Sequence, residues 1–252
     1  MKDVSWFMSV CNNNGLKLGD EQAAMFENYL RLLLSWNSRV NLISRKDEEN
    51  FYSHHALNCI SFLFDRELQP ETKILDLGTG GGLPGIPLKI VYRDLVVELL
   101  DSIKKKTAAL SDIVSNLHLD RTRVVTGRAE DLSTSDEYSG KFDYVITRAA
   151  GKLHEVIKWS RGFLKKFELL GNDLIPIGTL IVLKGGTIDD EIRVARSLKV
   201  VDSIEVSDIR FNGMDEFENK EKKLVLVRYR QHASSQETTA RKRNNWTNTK
   251  SI

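Results

Sequence analysis

The stretch from Ile74 to Gly85 combines residue types that together bind ligands. Its apolar start is interrupted by Asp76, and five glycines follow between positions 78 and 85. A glycine loop after a buried strand brings backbone N–H groups close to a ligand, because glycine has no Cβ and tolerates positive φ. The acid adds a point of attachment for a cation or a hydroxyl group. The pattern therefore predicts a loop that binds a nucleoside cofactor with a charged amino-acid arm.

Three interpretations of this loop compete. Gly80, Gly82 and Gly85 spell G-x-G-x-x-G, the dinucleotide fingerprint, in which a pyrophosphate lies on a helix N-terminus. Here Asp76 and Gly78 come first, so the glycines begin earlier than in that fingerprint. The carboxylate would repel a pyrophosphate but attract an ammonium or sulfonium group. We therefore favour S-adenosylmethionine as the cofactor, with a dinucleotide or a tight structural turn as the alternatives.

Polar residues also follow the other predicted strands. We predict strands at Lys73–Leu77, Val96–Leu100, Arg123–Thr126, Phe142–Thr147 and Thr179–Lys184. Ligands of open α/β sheets bind beyond the carboxyl ends of the strands, so the residues there form one candidate site. Asp101 is placed to accept hydrogen bonds from both ribose hydroxyls, and segment 127–131 to read adenine. A helix N-cap and a polar loop are the simpler interpretations of these two features.

The elements around this site alternate in type. Helix-like segments lie near 85–92, 104–117, 152–167 and 188–197, between the predicted strands. This alternation predicts an α/β fold with a mostly parallel sheet and helices on both faces. A strand-like pair around Gly213 predicts an antiparallel hairpin at one edge of the sheet.

Three regions follow along the chain. Residues 1–70 show helical spacing of apolar residues, with Asp20 as a candidate cap, Asn41 as a candidate end of the main helix, and a second helical stretch over 49–65. We predict a helical N-terminal extension over 1–70, a sheet domain over 71–230, and a disordered polar and basic tail over 231–252.

Composition narrows the class of protein. The 252 residues carry a net charge of +2, and the tail contributes +3 through Arg241, Lys242, Arg243 and Lys250 against Glu237. Residues 1–230 therefore carry a net charge near −1, so any basic surface on the sheet domain must be a local patch. The two cysteines form no disulfide framework, no His/Cys spacing suggests a metal site, and no apolar run is long enough to span a bilayer. We expect a cytoplasmic protein without a metal.

The sequence contains seven motifs in order, which are Trp36-Asn37-x-x-Val40-Asn41-Leu42, His55-Ala56-Leu57, Asp76-Leu-Gly-Thr-Gly-Gly-Gly-Leu-Pro-Gly-Ile-Pro87, Leu-Leu-Asp101-Ser102, Arg128-Ala-Glu130, Thr147-Arg148-Ala149 and Leu183-Lys184-Gly185. These motifs resemble the glucose-inhibited division protein B family of bacterial 16S rRNA methyltransferases. The resemblance runs in order from about 15 to 230. It implies a Rossmann-like methyltransferase fold with a helical N-terminal extension, and S-adenosylmethionine as methyl donor. The acceptor it implies is N7 of guanine 527 in the 530 loop, so that the partner is 16S rRNA or the small ribosomal subunit.

The resemblance and the loop pattern together give the candidate site residues. Those expected to bind the cofactor are Asp76, Gly78, Gly80, Leu83, Asp101, Ser102, Ala129, Glu130 and Arg148. Those expected to face the target base are Asn41, His55, Arg128, Arg148 and Lys184. A packing histidine and a helix cap are the simpler interpretations of His55 and Asn41. The family pattern also differs at Gly81, where many relatives have proline, which should loosen the loop here.

The chemistry fits the residues. Guanine N7 has a lone pair and no proton to lose, so alignment and electrostatics suffice without a general base. Neither cysteine follows a predicted strand of the sheet, which argues against a thiol nucleophile. Arg148 or Lys184 is suited to hold guanine O6. The alternatives are a dinucleotide-dependent oxidoreductase and a non-catalytic, S-adenosylmethionine-binding RNA-binding or assembly factor.

Overall fold

A seven-stranded sheet forms the centre of the protein. The computed structural model describes residues 2–148, 150–169, 171, 174–213 and 221–231. The strands are β1 Lys73–Leu77, β2 Val96–Asp101, β3 Thr122–Thr126, β4 Tyr144–Arg148, β5 Thr179–Gly185, β6 Val201–Asp208 and β7 Lys222–Tyr229. Their spatial order is β3-β2-β1-β4-β5-β7-β6. Strands β1 to β5 are parallel, and β7 lies antiparallel between β5 and the edge strand β6. The predicted sheet with an antiparallel edge hairpin is confirmed.

Helices cover both faces of this sheet. They are α1 Val4–Asn13, α2 Asp20–Asn37, α3 Leu57–Ile60, α4 Gly85–Val91, α5 Lys104–Asn116, α6 Ala129–Leu132, α7 Leu153–Ser160 and α8 Asp189–Arg196. One core cluster joins α1 and α2 to α4 and α5, and a second lies on the other face beside α7 and α8. The N-terminal helices therefore pack on the same face as the helix that follows the glycine loop.

The ends of α2 differ from the prediction. Gly19, not Asp20, is the N-cap, and its amide donates to the Gln22 side chain at 3.0 Å. The helix ends at Asn37 rather than near Asn41. The physical reason is that the Asn37 carboxamide oxygen accepts the amides of Leu42 and Ile43, at 2.7 Å and 3.0 Å, which turns the chain back at this point.

The second helical stretch, predicted over 49–65, is broken into short turns. A 3₁₀ turn at Arg45–Asn50, a π turn at Phe51–Ala56, α3 and a 3₁₀ turn at Ser61–Phe64 follow one another. Almost every side chain from Phe51 to Leu63 is buried, so packing on all sides sets the backbone here and no polar face enforces one helical period.

The helix predicted over 152–167 is shorter, because α7 ends at Ser160 and a 3₁₀ turn follows at Arg161–Phe163. The predicted disordered tail lies, beyond Gln231, outside the described residues. Within the described part of the chain, none of the helices combines the length and the apolar character that a membrane span requires.

Gly85, the first residue of α4, tests how tightly this region packs. A Cβ at Gly85 would lie 2.7 Å from Asp76 Oδ2 and would collide with the Leu99 side chain. We expect Gly85→Ala to lower the free energy of unfolding by about 1–3 kcal/mol through overpacking, measured by urea denaturation. The control Gly19→Ala, whose Cβ would lie 3.5 Å from Gln22, should cost less than about 1 kcal/mol. Equal effects would contradict the packing described here.

Candidate active site

The glycine loop is held from beneath by Asp76. This residue is fully buried at the end of β1, and its Oδ2 accepts hydrogen bonds from the Thr79 hydroxyl at 2.6 Å and the Gly85 amide at 2.7 Å. The carbonyl of Thr79 in turn accepts the amides of Gly82 and Leu83, each at 2.9 Å. One carboxylate thus fixes both ends of the loop.

Asp76 is buried beneath the loop, although the sequence predicted it as a point of attachment for a ligand. Burial raises the pKa of Asp76 to about 7, although hydrogen bonds from Thr79 and Gly85 and the charge of Arg148 lower it in part. Contact between Asp76 and the cofactor therefore stays a prediction, and the structure itself shows the carboxylate in contact with the loop. The side chain is sealed under the loop, so it influences a ligand through the loop conformation.

A cavity of about 370 Å³ opens at the carboxyl ends of β1, β2 and β3. The predicted cofactor residues that line it are Gly78, Asp101, Ser102, Ala129 and Glu130. Arg128, predicted to face the target, lines this cavity as well. Residues predicted at the ends of three different strands therefore line a single cavity.

Two predicted cofactor residues lie behind the wall of this cavity. Gly80 points its amide at Asp101 Oδ2, 3.1 Å away, and Leu83 is buried in the core with 4% exposure. Both shape the loop that borders the cavity.

Asp101 joins the glycine loop to the end of β2. Its Oδ1 accepts the Ile103 amide at 2.9 Å, while its Oδ2 accepts the Gly80 amide. A carboxylate has about four acceptor positions, so capacity remains for hydroxyl groups in the cavity. This geometry is suited to the ribose role that the sequence predicted.

Two apolar walls of the cavity were not predicted from the sequence. Ile103 is a large hydrophobic residue with 48% exposure, and Trp159 on α7 is half-buried. Apolar walls of this kind suit a flat base. The sequence signal for the first wall was the position of Ile103, an apolar residue directly after Asp101-Ser102. The sequence holds no comparable signal for Trp159, which lies on α7, far from this motif along the chain.

A second cavity of about 160 Å³ lies at the ends of β4, β5 and β7. Arg148, Lys184 and Lys222 line it together with Asn58. Because β7 runs antiparallel to β5, with Lys222 opposite Gly185, the first residue of β7 reaches the same rim as the last residues of β5. Arg148 therefore lies in this basic cleft and not in the first cavity, where its predicted cofactor role would place it.

Arg148 is oriented by the segment that precedes the sheet. Its Nη2 donates to His55 Nδ1 at 2.8 Å, and its Nη1 donates to the His54 carbonyl at 3.3 Å. Burial, and then the charge of Arg148, lower the pKa of His55 to about 4. The imidazole is therefore neutral at pH 7, and it holds the guanidinium rather than lining the cleft.

Lys184 and Asn41 are placed differently from their predicted roles. The Lys184 ammonium donates to the Gly151 carbonyl at 2.8 Å and pairs with Glu191 at 2.9 Å, so its charge is largely compensated. Asn41 is exposed and lines neither cavity. Its buried neighbour in the same motif, Asn37, fixes the chain through the amides of Leu42 and Ile43, a role that the sequence did not reveal.

Solved structures share this architecture. A predicted O-methyltransferase from Agrobacterium tumefaciens superimposes with a TM-score of 0.52 at 17% identity, over 71% of this chain and 82% of that one. A fibrillarin/Nop5p complex gives a TM-score of 0.50 at 12% identity, over 68% of this chain and 80% of that one. The fold is therefore that of Rossmann-like methyltransferases.

Sequence comparison identifies the family. The profile described as "GidB: rRNA small subunit methyltransferase G" matches residues 22–224. A "Ribosomal RNA small subunit methyltransferase G" of Porphyromonas gingivalis is 37% identical, over 74% of this chain and 80% of its own length. The protein of the same name from Phocaeicola vulgatus is 35% identical, over 83% and 93%. The chain belongs to the GidB family.

The contact between Arg148 and His55 predicts an unusual titration. We expect the His55 pKa to be about 4, and to rise in Arg148→Met while staying below 6.5, because burial is the larger cause. Between pH 6.5 and 4 the imidazole is protonated in the unfolded chain but neutral in the folded protein. The free energy of unfolding should therefore decrease as the pH falls from 6.5 to 4, by about 3 kcal/mol in total.

An NMR pH titration of the imidazole resonances measures this pKa, with His55→Gln for assignment. Lys158→Met, which removes an exposed charge from α7, should leave it unchanged. Titration of His55 near 6.5 in the wild-type protein would contradict the geometry.

Proposed function

We propose that this protein transfers a methyl group from S-adenosylmethionine to N7 of a guanine in 16S rRNA, guanine 527 of the 530 loop. The observation that carries the proposal is the family match over residues 22–224, which spans both cavities. The acceptor atom and its position follow from the family resemblance. On this proposal the protein works in the cytoplasm on the small ribosomal subunit or its RNA.

The first cavity fits the methyl donor. Asp101 offers acceptor positions for ribose hydroxyls, and Ile103 and Trp159 offer apolar walls for adenine. At Gly78 a Cβ would lie 2.8 Å from the Ala150 side chain, so backbone borders the cavity closely at this point. When bound, S-adenosylmethionine supplies a methyl group that its sulfonium activates.

The second cavity is suited to receive the acceptor. β4 lies directly beside β1, so the basic cleft and the donor cavity are neighbours on one rim. Arg148 is held by a neutral histidine and a carbonyl, which leaves its positive charge available to guanine O6 or a phosphate. O6 or phosphate is favoured over N7, because N7 acquires positive charge during the reaction.

The surrounding groups support transfer without a base or a protein nucleophile. His55 is neutral and already accepts a hydrogen bond from Arg148. Burial raises the pKa of both Cys11 and Cys59 to about 12, so each remains a thiol at neutral pH. The described residues therefore bind and orient the reactants, which is what a displacement at a free lone pair requires.

Arg148 provides the test of the acceptor side. We expect Arg148→Gln to lower kcat by about 100-fold, because orientation of the guanine is lost while the donor cavity persists. Transfer of tritiated methyl groups to small subunits from a strain lacking this gene measures the rate, and borohydride–aniline cleavage maps N7. Lys158→Gln, on the exposed face of α7, should behave as wild type.

The outcomes separate the candidate functions. Wild-type protein that binds S-adenosylmethionine but leaves the guanine unmethylated would instead indicate a binding or assembly factor. Stabilisation by NAD without binding of S-adenosylmethionine would indicate the oxidoreductase alternative.

Asp101 provides the test of the donor side. We expect Asp101→Asn to weaken binding of S-adenosylmethionine by about 10- to 100-fold, since a charged acceptor for hydroxyls is lost. Isothermal titration calorimetry measures the Kd. Asp202→Asn, at an exposed position on β6, is the matched control and should bind normally. An unchanged Kd in Asp101→Asn would refute the ribose assignment.

A further inference from the structure

The glycine loop has a third anchor, which comes from the N-terminal helices. The hydroxyl of Tyr29 on α2 donates a hydrogen bond to the Gly81 carbonyl at 2.7 Å, across 52 residues of sequence. Tyr29 is fully buried, and its ring meets Phe51 edge-on with centroids 5.6 Å apart. The ring is thus locked by packing, and its hydroxyl has a fixed direction.

The same helix closes the outer side of the loop. A Cβ at Gly81 would lie 3.1 Å from Leu33 Cδ1 and 3.3 Å from the Leu42 carbonyl. Leu42 is itself held by the Asn37 carboxamide. The loop therefore lies between two fixed surfaces, with Asp76 and Asp101 on the sheet side and α2 with its following segment on the other.

Helix α2 is also tied to the far wall of the donor cavity. The indole Nε1 of Trp36 donates to Asp112 Oδ2 on α5 at 2.7 Å. Helix α5 begins at Lys104, the residue after the cavity wall at Ile103. Helix α2 is thus joined both to the glycine loop and to helix α5, which border the cavity.

We propose that Tyr29 is a positioning residue for the cofactor, and that the N-terminal helices form part of the cofactor site. The Tyr29 hydroxyl holds the Gly81 carbonyl away from the cavity, so that the loop is ordered before the ligand arrives. The inference rests on the proposed cofactor, but it concerns the shape of its loop rather than methyl transfer.

The physical argument is one of pre-organisation. A glycine-rich segment loses more conformational entropy on ordering than other sequences, so an unanchored loop would offset part of the binding free energy. Without the hydroxyl, the buried Gly81 carbonyl has no hydrogen-bond partner. Its desolvation cost then favours loop conformations in which the carbonyl contacts water. Burial raises the pKa of Tyr29 well above its usual value, so the phenol stays a donor at all physiological pH.

The test compares two buried tyrosines whose hydroxyls each donate to a backbone carbonyl. Tyr29→Phe removes the hydroxyl at the loop, and Tyr144→Phe removes a buried hydroxyl that donates to the Ile175 carbonyl at 2.6 Å. Tyr144 begins β4, at the end of the sheet opposite the cavities. Tyr29→Phe loses one hydrogen bond, and Tyr144→Phe also loses a longer one accepted from the Gln69 amide at 3.4 Å, so both should lower the Tm.

Only Tyr29→Phe should weaken S-adenosylmethionine binding, by about fivefold to tenfold, as expected for one hydrogen bond. Its KM for the cofactor should rise while kcat at saturating cofactor stays at the wild-type value. Amide hydrogen exchange without ligand should be faster at Gly80 and Gly82 in this variant alone.

An equal fall in Tm for the two tyrosine variants, with Kd and loop exchange unchanged in Tyr29→Phe, would overturn the inference. Loop exchange is measured without cofactor or RNA. A protein that binds S-adenosylmethionine yet methylates no guanine would therefore refute the proposed function and still give a result on Tyr29.

Discussion

The structure depends on satisfying the backbone of one glycine loop, which is buried from Gly81 to Gly85. Polar backbone groups removed from water must find partners, and here three side chains supply them from three directions. Asp76 holds the Gly85 amide from beneath, Asp101 holds the Gly80 amide from β2, and the Tyr29 hydroxyl holds the Gly81 carbonyl from α2. Because glycines adopt many conformations, these hydrogen bonds give the loop one shape. That shape sets the border of the donor cavity.

The strand order divides the rim of the sheet into two parts. Beyond β1, β2 and β3 lies a cavity with an acid for hydroxyls and apolar walls for a base, and beyond β4, β5 and β7 lies a smaller basic cleft. The chain reverses its strand order between β1 and β4, which is where ligands of such sheets bind. On the proposed function, the methyl group passes between the two parts, and the protein contributes alignment rather than acid–base chemistry.

Much of the sheet was predictable. Strand β1 was predicted with its observed bounds, and β2 and β5 within one residue, because short apolar runs end at acids or glycines. Strand β4 begins two residues later than predicted, since Phe142 forms an isolated bridge to Leu164 instead of joining the ladder. The stretch over 49–65 was not predictable as turns, because burial on all sides removes the periodic signal.

The sequence predicted which residues lie near the site. It did not predict which groups each side chain contacts. A strand end places Asp76 and Lys184 on the rim, but sequence does not tell that one carboxylate points under the loop, or that Glu191 neutralises the lysine. The anchoring role of Tyr29 was not predictable, because Gly81, its hydrogen-bond partner, is 52 residues away in sequence. The cofactor contacts of individual residues stay predictions.

The most direct test is a crystal structure of the protein with S-adenosylhomocysteine. We predict that its ribose hydroxyls bind the Asp101 carboxylate, its adenine lies between Ile103 and Trp159, and Asp76 stays buried under the loop without touching the ligand. A ligand bound elsewhere, or bonded directly to Asp76, would contradict the account.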